Sequence, residues 1–137
     1  MATFAVTPSS LGNAWSNGKV DLLLEINLNK SRFGYLRSGA MEFSFYDLVS
    51  HAARTRPLQA GTLISSGTVT EACFSSSASS IIEMRASNKS KAISGPAFLR
   101  ANDVVDILMY DEKMRSVFGR LLNHISELHG GSRTFFK

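Results

Sequence analysis

Thr68, which directly follows a glycine, and Glu83, fifteen residues further on, are the residues of this chain best suited to chemistry. A threonine hydroxyl donates to a carbonyl or carboxylate oxygen, and a carboxylate takes a proton or holds a histidine in one tautomer. Gly67 carries no side chain to shield Thr68, and Ser65 and Ser66 precede it, so Ser66, Gly67 and Thr68 can line a cleft. A short apolar run, Leu63 and Ile64, reads as the strand leading into that turn. After a serine-rich connection a second run, Ile81 and Ile82, reads as the strand that puts Glu83 and Arg85 on alternating positions. The same residues also fit a strand, a loop and a strand, with Glu83 paired to Arg85 or solvated.

Other chemical groups fare worse. Ser75 to Ser80 has no G-x-S-x-G elbow and reads as a flexible linker. His124 and His129, five apart, miss the one-face spacing of a helical metal pair. His51 falls beside an apolar stripe rather than in a cluster of ligands. Cys73 is the single cysteine, so neither an internal disulfide nor a cysteine metal cluster is available, and a reducing cytoplasm fits.

Composition narrows the class. The 137 residues allow one domain, and 44% hydrophobic with 19% charged residues suits a globular chain. No apolar run approaches the roughly 18 residues of a membrane-spanning helix, and no secretory signal is read. The net charge of +4 is spread along the chain without basic runs, so a solvated surface is favoured over a nucleic-acid partner.

The positioning elements follow from pattern. Thr7-Pro8 is extended, Leu11 and Trp15 anchor a helical turn, and Asn17-Gly18 is a turn signal. Leu24, Ile26 and Leu28 alternate with polar residues as a half-buried strand. Asn29-Lys30-Ser31 then leads to a strand near Phe33 and Leu36. The one clear helix runs from 45 to about 55. Ser44 caps it, Asp47 supplies the first-turn charge, and Pro57 follows its end. Residues 88–96 read as polar turn. Val105, Ile107 and Met109 form a strand, turned at Asp111-Glu112-Lys113 toward Val117, Phe118 and Gly119. The domain is expected over 1–125, with a mobile tail over 126–137.

Three segments together resemble the fumarylacetoacetate hydrolase family, C-terminal half. They are AVTPSSLGNAW with MEFSFYDLVSHAARTRPL, then LQAGTLISSGTVT with IIEMR, then FLRANDVVDILMYDEKMRSVFGR. The likeness covers about residues 5 to 122, in order. It implies an α+β, β-rich fold, the C-terminal part of a β-roll with one main helix. It also implies a divalent metal (magnesium, calcium or manganese) that chelates a small diketo or oxo acid during metal-dependent C–C bond hydrolysis or decarboxylation. Glu83 matches the glutamate that orients a water-activating histidine, and Thr68 matches the substrate-contacting threonine of the S-G-T turn. A homo-oligomer, commonly a dimer, is implied as well.

The chain departs from the pattern in lacking an E-x-E pair. The family's metal ligands, histidine and lysine belong to segments ahead of AVTP. Asn102 stands for the expected glycine before Asp103, and the hairpin after Leu28 lacks its glycine, which implies a looser connection. The resemblance therefore implies a fragment or truncated form of such an enzyme, inactive alone. The other reading is a non-catalytic remnant or interaction module of the same fold.

Overall fold

The computed structural model describes residues 2, 4–70, 77–90 and 95–127. The mobile-tail expectation falls mostly outside them, as do Cys73 and the first part of the serine run.

Alternation dictates the central sheet. β3 (Leu23–Leu28) buries Leu24 and Ile26, and β4 (Ser31–Arg37) returns beside it with Leu36 buried. β5 (Val104–Tyr110) pairs with the other side of β3, and β6 (Leu121–His124) pairs with β5. The order is β4-β3-β5-β6, all antiparallel. Phe33, Val105, Ile107, Met109 and Val69 pack on the cluster of Leu24, Ile26 and Leu36, so one sheet face is apolar. The chain is thus mixed α+β and strand-rich.

The β3–β4 connection is tighter than its lack of glycine implies. Leu28 pairs directly with Ser31, so only Asn29 and Lys30 make the turn, both left-handed at φ 51° and 68°. Asparagine tolerates that region, and two positive φ values suit the twist of a hairpin. Tertiary bonds hold Asn29: its amide donates to Asp103 Oδ1 at 2.8 Å, and its Oδ1 accepts from Val104 N–H at 2.9 Å. Asn102, where the resemblance leads one to expect glycine, is left-handed at φ 73°.

α1 (Pro8–Leu11) leads into a small hairpin of β1 (Trp15–Ser16) and β2 (Lys19–Val20), turned by Asn17 and Gly18. α2 (Phe45–Ala53) starts where the sequence places it. Ser44 Oγ accepts from Asp47 N–H, and the Asp47 carboxylate accepts from Ser44 N–H at 2.9 Å, a capping box. The hairpin docks on this end: Phe45 N–H donates to Gly18 O at 2.7 Å, and Trp15 stacks on Phe45.

Four expectations are corrected. Leu63 and Ile64 form no strand; residues 62–70 are irregular, and Leu63 is 82% exposed. Ile81 and Ile82 open a second helix, α3 (Ile81–Ser90), instead of a strand, so there is more than one main helix. Residues 88–90, read as turn, belong to that helix. The strand returning after β5 is β6, preceded by a single bridge from Tyr110 to Ser116, rather than Val117, Phe118 and Gly119. The physical reason for α3 is local. Ser80 Oγ accepts from Glu83 N–H at 3.2 Å, while the Glu83 carboxylate accepts from Ser79 N–H at 3.0 Å. An S-x-x-E cap ahead of an apolar pair starts a helix, and a two-residue apolar run cannot by itself tell helix from strand.

Candidate functional site

A cavity of about 520 Å³ opens between α2, the loop of residues 62–70 and the Met109 end of β5. Each wall has a cause. The docked hairpin brings Val20, the capped first turn of α2 brings Phe45 and Leu48, and Phe118 closes the side beyond β5. Ser38, at the end of β4, is buried beneath: its Oγ donates to Val20 O at 2.8 Å and accepts from Leu22 N–H at 3.0 Å. Val69 packs on the sheet core and anchors the loop, so Ser66, Thr68 and Thr70 line the cavity mouth. Gly67 lies between Ser66 and Thr68 at φ 78°. An added Cβ there meets open space, so the left-handed backbone rather than crowding calls for glycine.

Among the described residues the one carboxylate in the lining is Glu42. Hydroxyls on one side, a carboxylate on another and apolar walls between suit a small oxygen-rich molecule with an apolar part. Among the described residues the lining holds no histidine, lysine, arginine or cysteine. This arrangement can bind and orient; Glu42 is the one titratable group among its described residues. Glu42 and Thr70 were not legible in the sequence, because no spacing links residue 42 to residues 66–70.

The structure brings Ser66 and Thr68 together and does not bring Glu83 to the same cavity. Glu83 sits in the first turn of α3. The neighbouring cleft there, about 470 Å³ and mostly apolar, is lined by Ser79, Ser80, Ile81, Ile82, Phe33 and Phe98 among others. One carboxylate oxygen holds Ser79 N–H. Arg85 does not pair with Glu83. It donates to Pro96 O at 2.7 Å and stacks on Phe98, since residues two apart on a helix diverge.

The segment that carries Glu83 is placed by β4. Ser77 Oγ accepts from Tyr35 N–H at 2.6 Å and donates to Tyr35 O at 3.0 Å. Ala78 is buried against Gly34, whose missing side chain leaves room for the Ala78 carbonyl. The described part of the serine run is therefore an anchored strap.

Among the described residues no three His, Cys, Asp or Glu side chains come together in a way that could hold a metal ion. Among the described residues the donor set around the cavity, one carboxylate with hydroxyls, does not fit a divalent cation. His51 is exposed on α2. His124 lines a separate outer cleft with Lys30, Arg120 and Asp106, where Arg120 pairs with Asp106 at 2.9 Å. On that outer face burial, then the Glu25 and Asp106 charges, push the Tyr110 phenol up. No helix among the described residues is long and apolar enough to cross a membrane.

The sequence model of the family described as Fumarylacetoacetate (FAA) hydrolase C-terminal matches residues 1–126. No curated protein matches the chain.

Proposed function

We propose, since this chain belongs to the fumarylacetoacetate hydrolase family, that it supplies the substrate-binding part of a site for C–C bond hydrolysis or decarboxylation of a small diketo or oxo acid. The observation that carries this reading is the Ser66, Gly67 and Thr68 turn at the mouth of the 520 Å³ cavity. Thr68 and Ser66 donate to the oxygens of the substrate, while Phe45, Leu48 and Met109 take its carbon chain. The four-stranded sheet is then a portion of the family's β-roll. The divalent metal of the family has no ligand set among the described residues, and the chain alone is expected to show no turnover.

Glu83 acts in this reading as a positioning residue. One of its oxygens is fixed by Ser79 N–H, which leaves the other to orient a histidine supplied from outside the described residues. The same reading makes the chain a homo-oligomer. One observation favours a second reading, a non-catalytic module. Glu83 is engaged in capping α3, and among the described residues the cavity carries no base besides Glu42.

Binding and turnover separate the two. Acetylpyruvate titrated into the protein should shift the amide resonances around Thr68. Thr68→Val should weaken binding by about 1–3 kcal/mol, through the partner left unsatisfied. Unchanged affinity overturns the cavity as the substrate site. In an assembly with metal-dependent turnover, Glu83→Gln keeps the cap acceptor and should reduce kcat by a sizeable part of about 10²–10⁴. A kcat within about twofold of the parent leaves Glu83 as a helix cap only.

A further inference from the structure

Glu42 stands in the cavity wall without a partner. Its stretch of chain is pinned at both ends. Ser38 is buried and bonded to Val20 O and Leu22 N–H, and Ser44, also buried, is locked into the capping box of α2. Glu42 lies between these two pins and is thereby kept at the cavity that Ser66, Thr68 and Thr70 also line. Carboxylates elsewhere are taken. Arg37 holds Asp21 and Arg120 holds Asp106, while the N–H groups of Ser44 and Ser79 hold Asp47 and Glu83. Among the described residues no hydrogen bond or ion pair reaches Glu42.

A partner-free carboxylate limits what can lie beside it. It is an acceptor only, so a ligand that displaces its water must donate to it or leave it unsatisfied. A space of about 520 Å³ is about 10 Å across if round, close to the Debye length, so no part of a ligand inside it escapes the charge. A second carboxylate on the ligand is therefore repelled, and no cation among the described lining residues offsets this. An ammonium would answer the charge. Phe45, Leu48, Met109 and Phe118 make much of the wall apolar, however, and burying an ammonium there costs far more than burying a neutral hydroxyl. We infer that Glu42 selects the substrate: a small oxo acid with one carboxylate, whose far end enters this cavity and carries a hydroxyl. That hydroxyl donates to Glu42, while Thr68 and Ser66 donate to the carbonyl oxygens and the acid's own carboxylate stays at the open mouth. This rests on the proposed function, whose cavity it uses, and narrows the substrate to a class.

Three probes with different ends test it, titrated into the protein and read from amide shifts. They are acetylpyruvate with its methyl end, the same acid hydroxylated at that methyl carbon, and fumarylpyruvate with a second carboxylate. The hydroxylated acid should bind at least about fivefold tighter than acetylpyruvate, since a hydrogen bond to a charged group is the stronger kind. Fumarylpyruvate should bind weakest. Glu42→Ala should bring the hydroxylated acid within about twofold of acetylpyruvate, the bond being lost. Glu42→Gln keeps the shape and removes the charge, and should tighten fumarylpyruvate about threefold, the size of one like-charge contact across a wet cavity. Circular dichroism of both variants should match the parent, because Glu42 makes no bond among the described residues. Equal affinity for acetylpyruvate and its hydroxylated form in the parent overturns the selection by Glu42. So does a preference that survives Glu42→Ala, or fumarylpyruvate binding unmoved by Glu42→Gln. In each of these cases the cavity stays the substrate site if Thr68→Val still weakens acetylpyruvate. If Thr68→Val weakens no probe, the cavity reading falls and this inference falls with it.

Discussion

Gly34→Ala should be the most damaging single methyl in the described sheet. A Cβ at Gly34 falls on the carbonyl oxygen of Ala78, a backbone atom of a buried residue that cannot swing aside. Gly34 has an ordinary strand backbone, so alanine meets no φ penalty, and the cost is space alone. Overpacking of this kind costs about 1–3 kcal/mol. Moving Ala78 also draws Ser77 away from Tyr35, where the bonds of 2.6 and 3.0 Å are each worth about 0.5–1.5 kcal/mol. The reduced entropy of the unfolded chain returns about 0.4–1 kcal/mol. With both bonds lost the net lies within about 1–5.6 kcal/mol, centred near about 3 kcal/mol, and the central value reads as a Tm drop of about 9–15 °C for a chain of this size. Thermal melting by circular dichroism measures it, with hydrogen exchange of the α3 amides as a local readout. Gly39→Ala is the control. Its Cβ would meet the Asp21 carboxylate, the end of a half-exposed side chain that can shift, so the loss should stay below about 1 kcal/mol. Equal melting of Gly34→Ala and the parent, or an equal loss in Gly39→Ala, would refute the argument that the Ala78 backbone is what Gly34 accommodates.

Two further outcomes are expected. Ser44→Ala should cost about 1 kcal/mol by removing the cap of α2. The hydrogen bond from the Ser44 hydroxyl, then that from its backbone N–H, holds the Asp47 carboxyl below the usual range. Its folded value is depressed, so this stability is present above about pH 4 and lost as pH falls through the folded value. Melting curves between about pH 2 and 6 should show a flatter acid limb in Ser44→Ala, and an unchanged limb contradicts the assignment. Lys30→Gly should raise the urea midpoint by relieving the left-handed lysine at φ 68°, worth about 0.5–1 kcal/mol. A lower midpoint at unchanged slope would show that the turn stores no strain.

Much was legible from local rules, because those rules act within a few residues. The alternation of Leu24, Ile26 and Leu28 decided a half-buried strand, Asn17-Gly18 a turn, and Ser44 with Asp47 the start of α2. The family was legible too, from motifs in order along most of the chain. The identity of α3 was also local, since Ser80 and Glu83 make an S-x-x-E cap around Ile81 and Ile82, but a two-residue apolar run by itself fits a strand as well as a helix. What no window of sequence carries is which residues meet. Leu63 and Ile64 look like a strand, but among the described residues no strand pairs with them. Glu42 reaches the Thr68 cavity because the hairpin docks on α2, while Glu83 lies elsewhere because Ser77 ties its segment across β4 at Gly34. Those placements depend on contacts between distant segments, which only the folded chain creates.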